Sequence, residues 1–441
     1  MMLPYLLKYY LEIGKWRKLD AREIRARQIA RFNEIFQYAK QKSRFYRELY
    51  RKHGVYDLEI RTMQHVERLP IIYKSLLRQY SLSDITTCDT SDSRKFNIRS
   101  TSGSTGEPFK IAYSKVEDYT NQARHYWSLR QYGYQPWKNV LIVTRYEPGA
   151  TYQYERDVKL LRFVQKLCPL FRRQIASIYE PVDSIVEKLR REAPYILWST
   201  PSILQIIAYK LEEKGIRLDI PYVGVTSETM FEKQAALFRR IFGSNLVNYY
   251  GAMEAPTLGF DINMEHRFRL FPNSAMFEFT DPRIDDGRRL ATLVLTNLIN
   301  RTMPIIRYNT GDVTCVEDGP EFGIKYLGRV IGRLDDILEF PDGTYFAHHH
   351  AHEMFMDFHE CQHFRFIQYP DGTVALQLKV GSDCDKESVR KSAMKRWQKR
   401  FPDKALRIEF VNEFPIDTTT GKTRNIEKLK TPAGDSQRKK S

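Results

Sequence analysis

Between residues 20 and 55, apolar and aromatic positions recur at helical spacing: Ile29, Phe32, Ile35, Phe36 and Ala39, then Phe45, Tyr46 and Leu49. A stripe repeating every three to four residues predicts amphipathic helices with one buried face. Leu69-Pro70 followed by IIYKSLLRQYS reads as a loop entering another short helix. Residues 1–95 are therefore expected to be a helical preface. Beyond it, short β-branched runs at 140–144, 195–198, 223–226, 246–250 and 293–298 alternate with helical stretches at 181–192, 201–214 and 232–241. Strands alternating with helices predict an α/β region over 96–333 with mostly parallel sheets. After Gly332 the texture changes. Residues 343–430 read as strand, helix, strand, strand, helix, strand, with Pro370-Asp371-Gly372 as a hairpin turn and a basic amphipathic helix over 386–400. That predicts a small C-terminal α+β domain over 334–430, followed by a disordered basic tail, 431–441.

A chain of 441 residues can bury a large core, and its 42% hydrophobic and 28% charged composition is that of a globular protein. The five cysteines form no C-x-x-C pair, which argues against a disulfide framework and fits a reducing, cytoplasmic setting. The opening MMLPYLLKYYLEIGKW is broken by Lys8 and Glu12, is too short to span a bilayer and lacks a small-residue cleavage site. It reads as a helix that packs or lies on a surface. The net charge of +16 favours anionic partners without choosing among nucleotides, thiol carriers, acidic saccharides and anionic membrane surfaces. It is concentrated at 22–51 and after Lys428, and no motif points to specific nucleic-acid binding. Oligomeric state is not legible.

Five separated motifs carry the chemistry. In Ser100-Thr101-Ser102-Gly103-Ser104-Thr105-Gly106-Glu107-Pro108, with Lys110 close behind, hydroxyls alternate with glycines. Such a run lets backbone N–H groups approach an anion, although by itself it also suits a flexible turn. Asn248-Tyr249-Tyr250-Gly251-Ala252-Met253-Glu254 ends a strand with an aromatic that can stack on a purine, a close-approach glycine and a carboxylate suited to Mg²⁺. In Arg307-Tyr308-Asn309-Thr310-Gly311-Asp312, an aspartate at a tight turn can accept both hydroxyls of a ribose. Gly332-Arg333-Leu334-Asp335-Asp336 lies where the composition changes, so Arg333 can bond a nucleotide and Asp335 can serve as a hinge. Thr418-Thr419-Thr420-Gly421-Lys422-Thr423-Arg424 ends like a P-loop, but position 416 is Ile416 rather than glycine, so a Walker A reading fails. A lysine on such a loop can instead neutralise charge on a phosphoryl group in transfer. A histidine-rich stretch, His348, His349, His350, His352, His359 and His363 with Cys361, matches no closed zinc spacing and reads as structural or surface histidines.

Taken together, TSGSTGEP, YYGAME, TGD, GRLDD and TTTGK resemble, in order and rough spacing, the motifs of the adenylate-forming (AMP-binding) enzyme superfamily. The chain is most similar to its phenylacetate-CoA ligase-like branch, including CapK-like members associated with capsular polysaccharide biosynthesis. FNEIFQYAKQKSRFYRELYRKHGV, LPIIYKSLLRQ and GRLDDILEFPDG support that branch, and the resemblance spans about residues 30–430.

The resemblance implies a large N-terminal domain followed by a small mobile C-terminal one. It implies ATP-dependent carboxylate activation to an acyl-adenylate, with acyl transfer to CoA or a carrier-protein thiol. By the same carry-over, Thr101, Ser102, Gly103, Ser104, Thr105 and Gly106 cover the phosphates, with Lys110 near them and Thr105 counted among the catalytic groups. Tyr250 and Gly251 meet the adenine, with Ser227 and Glu228 lining the same pocket. Glu254 binds Mg²⁺, Asp312 and Arg333 hold the ribose, Asp335 is the hinge and Lys422 is the mobile catalytic lysine. Two departures stand out. Met253 replaces the usual hydroxyl residue, which leaves room for a nucleotide-binding homologue without turnover. ILEFPDGTYF replaces the usual glycine-containing strand beside the thiol, which keeps an amine acceptor open. The acid itself is not legible; aromatic residues at 125–150 and 223–260 allow a bulky or aromatic one.

Overall fold

The computed structural model describes residues 3–100, 109–144, 173–285, 287–334, 337–342, 344–355, 360–381, 384–413 and 425–429. The chain divides into two compact units, residues 1–310 with 314–330, and residues 311–313 with 331–441.

The first unit opens with helices α1 (Leu3–Arg17), α2 (Ala21–Lys42), α3 (Arg44–Lys52), α4 (Met63–Glu67), α5 (Lys74–Leu77) and α6 (Leu82–Ile85). Local chemistry starts α2: Asp20 accepts the Glu23 N–H at 2.7 Å, while the Glu23 carboxylate accepts the Asp20 N–H at 3.0 Å. This reciprocal box satisfies two helix-end donors that would otherwise be orphaned. The apolar stripe read in the sequence faces inward, with Phe32, Ile35, Phe36, Phe45 and Tyr46 in one core with Ile305, Ile306 and Tyr308 from far along the chain. Backbone bonds from Ile72 N–H to Arg307 O (2.8 Å) and from Asn309 N–H to Ile72 O (2.9 Å) fasten the preface to that later segment.

Strands β1 (Phe96–Ser100) and β2 (Lys110–Ser114) pair antiparallel and lead into α7 (Lys115–Gln131). There follow β3 (Val140–Thr144), β4 (Arg173–Ser177), α8 (Val182–Glu192), β5 (Ile196–Ser199), α9 (Pro201–Glu213), β6 (Tyr222–Thr226), α10 (Glu232–Phe242), β7 (Asn245–Ala252), β8 (Ala255–Ile262) and β9 (Phe268–Leu270). After them come β10 (Ala275–Asp285), β11 (Arg288–Asn297), β12 (Tyr308–Cys315) and β13 (Tyr326–Leu327). The main sheet has the order β13-β9-β8-β7-β6-β5-β3-β4. It is parallel from β4 to β7, with α8 to α10 making the successive crossovers from β4 to β7 by way of β5 and β6, and antiparallel beyond β7, where a tight turn joins β7 to β8. Helices α8 to α10 press Ile185, Leu204, Ile207 and Phe238 onto Val223, Val225 and Leu246. β10 and β11 pair antiparallel with β12 alongside. The Thr310-Gly311-Asp312 segment, expected as a tight turn, lies instead inside β12, where Gly311 at φ +76° interrupts the extended path.

β14 (Val330–Arg333) leads into the second unit, with β15 (Ile337–Glu339), β16 (Tyr345–Ala347), α11 (His348–Phe355), β17 (Cys361–Gln368), β18 (Val374–Val380), α12 (Lys386–Arg400), β19 (Leu406–Phe410) and β20 (Ile426–Lys428). Its sheet runs β19-β18-β17-β20, with α12 burying Val389, Ala393 and Trp397 against Phe366, Leu376 and Leu378. The Pro370-Asp371-Gly372 turn connects β17 to β18, with Gly372 at φ +85°. The expected tail, 431–441, lies outside the described residues.

Candidate active site

The parallel strands of an α/β sheet end together, and ligands collect at their carboxyl ends because helix N-termini and loop amides converge there. In this chain β7 ends in the segment Tyr250-Gly251-Ala252-Met253-Glu254, which turns straight back into β8. The turn is pinned from several directions. Tyr113 donates to the Met253 carbonyl at 2.7 Å, and Asn297 Nδ2 donates to the Glu254 carbonyl at 2.9 Å. Arg124 of α7 donates to the carbonyls of Pro256 (2.9 Å) and Thr257 (3.1 Å). A methyl at Gly251 would sit 2.8 Å from the Thr257 nitrogen, so this turn admits no side chain there. Glu254 is buried, and its Oε1 accepts the Tyr308 hydroxyl at 2.8 Å. Tyr250 is also buried, with Phe268 at 5.7 Å between ring centroids.

One residue earlier, on the opposite face of β7, Tyr249 belongs to an aromatic box. Trp198 lies 4.5 Å from it and His125 5.7 Å, while its hydroxyl bonds Ser128 and Tyr132, each at 2.7 Å. Trp198 lies across β6 at Gly224, where a Cβ would come within 2.4 Å of the indole. Trp198 and His125 are less deeply buried than Tyr249. Desolvation, with the Arg173 charge second, pushes the His125 imidazole down to about 3. In the unfolded chain the ring protonates near pH 6.5, so its contribution to stability is complete above that value and is lost as pH falls toward 3. The free energy of unfolding, read from denaturant titrations, should therefore drop with acidification by at most about 1.4 kcal/mol per pH unit from this ring. His125→Gln is expected to flatten that slope. The His363 ring, pushed down to about 4 by burial, adds a second slope that the variant leaves in place.

The other sequence-predicted residues fall into separate places. Ser227 and Glu228 follow β6, beside the end of β7, as the pairing of Thr226 with Tyr249 requires. Ser227 has φ +71°, unusual for a residue with a side chain. Glu228 is engaged with the first turn of α9, accepting the Ser202 N–H at 3.0 Å and its hydroxyl at 2.9 Å. A carboxylate at a helix N-terminus is electrostatically favoured. In the second unit, Asp312 and Arg333 come together, with Nε to Oδ1 at 3.5 Å. Lys110 begins β2 and is exposed. Thr101, Ser102, Gly103, Ser104, Thr105, Gly106, Asp335 and Lys422 lie outside the described residues, as do His359 and the side chains of His348, His349 and His352. Buried His350 Nδ1 accepts the Ala347 N–H at 3.1 Å.

Among the described residues no three His, Cys, Asp or Glu side chains gather as a metal set. Magnesium bound through substrate phosphates needs only one or two protein carboxylates. Glu254, buried and oriented by a phenol, fits that demand. Sequence reasoning missed Tyr113, Asn297, Tyr308 and Trp198; of these only Tyr308 sat inside a recognised motif.

No family model matches the chain. It is 23% identical to the protein CapK of Staphylococcus aureus over 443 residues, covering 96% of this chain and 93% of that one. It is 23% identical to the phenylacetate-coenzyme A ligase of Thermus thermophilus over 334 residues, 73% of this chain and 72% of the ligase. A solved 2-hydroxyisobutyryl-CoA ligase, in its postadenylation state with an acyl-adenylate bound, superposes with a TM-score of 0.72 at 16% identity, covering 91% of this chain and 88% of that one. The mixed α/β fold is thus that of the acyl-CoA ligases. The ordered motifs and the carboxylate at the end of β7 agree with that fold, and the chain is distantly homologous to CapK and to the phenylacetate-CoA ligases of the adenylate-forming enzyme superfamily.

Proposed function

We propose that this protein activates a small carboxylic acid with Mg-ATP, releasing pyrophosphate, and passes the acyl group to a thiol, CoA foremost. The observation that carries the reading is Glu254: a buried carboxylate at the mouth of the sheet, oriented by Tyr308 and held in a turn pinned by Tyr113, Asn297 and Arg124. Burying an ionisable group and then fixing its direction costs stability, and sites that bear such a cost are commonly functional.

In the proposed reaction one oxygen of the substrate carboxylate attacks the α-phosphorus of ATP, and the bond to the pyrophosphate oxygen breaks. Tyr250 and Gly251 hold the base, with Ser227 and Glu228 shaping the neighbouring wall, and Asp312 and Arg333 hold the ribose. Residues 101–106 and Lys110 receive the phosphates. Magnesium, held by Glu254, supplies charge neutralisation on the phosphates. Positioning and charge neutralisation suffice, since a carboxylate is already a nucleophile at neutral pH. The second step is attack of a thiolate on the acyl carbon, which expels AMP. The acid is assigned to the box of His125, Trp198 and Tyr249, whose flat, mostly apolar walls suit an aromatic or bulky acid. The reaction is set in the cytoplasm, and polysaccharide biosynthesis is the context that likeness to CapK suggests.

Pyrophosphate release measured across a panel of acids, with and without CoA, tests the reading. Release should require an acid and ATP, and CoA should raise turnover by clearing the adenylate. Glu254→Gln should lower release by roughly 10²–10³-fold, the range for one preorganised electrostatic group. An amino sugar replacing CoA without loss of turnover would identify an amine acceptor instead. ATP binding with no acid-dependent release for any member of the panel would make the protein a nucleotide-binding homologue.

A further inference from the structure

The first helix presents a face that the activation chemistry leaves unused. α1 buries Ile13 and Trp16, packs along α7, and sets Arg17 over the Trp127 ring at 4.9 Å. Its opposite side is exposed: Pro4, Leu7, Lys8, Leu11 and Lys15. At 3.6 residues per turn these positions fall within an arc of about 100°. Leu7 and Leu11 expose 56% and 55% of their surface, so they are not core residues with a frayed edge. Tyr5 stands at the rim, 42% exposed. The arc holds no carboxylate, because Glu12 is turned aside to pair with Arg31. Lys18, just past the helix, extends the same line and is also exposed.

From this face we infer that α1 docks the protein onto an anionic lipid surface. Leucines flanked by lysines on the outer side of a helix bury the apolar chains at the headgroup boundary and leave the ammonium groups among lipid phosphates. The charge of the rest of the chain, +16 in all, adds to the attraction instead of opposing it. A second protein is the less suitable occupant. A stable protein interface takes about 20–30 residues a side with an apolar centre, and one helix arc carrying two leucines falls short of that. Binding to a lipid surface needs no such area, since each lysine near anionic headgroups raises partition about fivefold. Among the described residues no helix is long and apolar enough to cross a membrane, so the contact is peripheral.

Co-sedimentation of the full chain with vesicles tests this directly. The protein should pellet with vesicles containing phosphatidylglycerol, remain in solution with pure phosphatidylcholine, and dissociate as salt rises. Lys8→Glu with Lys15→Glu should weaken binding by roughly 25-fold or more, and Leu7→Ser with Leu11→Ser should also release it. All four positions are exposed, and unchanged melting curves for both variants would show an intact fold. Failure to pellet with phosphatidylglycerol, or binding that both variants retain, overturns the inference. So does wild-type self-association in equilibrium sedimentation that the leucine variant abolishes, because the face would then be a protein interface. Acid-dependent pyrophosphate release is measured separately and does not depend on this outcome.

Discussion

Arg307→Met is expected to destabilise the first unit by about 3–5 kcal/mol, the cost of leaving one member of a buried ion pair uncompensated. Arg307 and Glu278 are 5% and 9% exposed, and the guanidinium meets the carboxylate through Nε at 3.1 and 3.0 Å and through a terminal nitrogen at 2.9 Å. The same guanidinium donates to the Glu67 carbonyl at 2.9 Å and to Leu69 O, tying β10 to the helical preface. Burial holds the Glu278 carboxyl above its ordinary range, and Arg307 pulls it back. Without Arg307 the carboxyl should take up a proton more readily, so the loss should be smaller at pH 5 than at pH 8. Denaturant midpoints at the two pH values check this. The double variant Arg307→Met with Glu278→Leu should recover much of the stability, since an apolar pair of similar volume removes both buried charges. Arg307 has φ +48° and immediately precedes Tyr308, the residue that orients Glu254. Activity should therefore fall along with stability in the single variant.

Lys422→Ala should reduce acyl-adenylate formation by roughly 10²–10³-fold while ATP binding is retained. In the proposed chemistry this lysine neutralises charge that develops only as pyrophosphate departs. Its removal should lower the rate without changing ground-state affinity. Thioester formation from preformed acyl-adenylate and CoA should be spared, which distinguishes loss of the lysine from general damage to the small unit. Pyrophosphate release at the wild-type rate in the variant would take Lys422 out of the mechanism.

The elements set by local periodicity were legible in the chain. The Val140–Thr144 strand and the Lys386–Arg400 helix have the expected bounds, because a β-branched run and a basic amphipathic stripe each favour one backbone geometry. The stripe through Phe32, Phe36 and Tyr46 announced a buried face but not the partner it packs on. The Thr310-Gly311-Asp312 segment misled, because a tripeptide that commonly turns was held in a strand by its neighbours. Trp198 gave no signal, as an aromatic in a short apolar run reads as core until Gly224 and Tyr249 are beside it.

The order of the motifs, the alternation of strands and helices and the change of texture after Gly332 are properties of the sequence alone, since each depends on residues close together along the chain. What surrounds Glu254 is not. Tyr113, Arg124, Asn297 and Tyr308 reach that turn from segments with no local reason to meet. Only burial of the β7–β8 turn, which leaves its polar backbone in need of partners, brings those side chains to it.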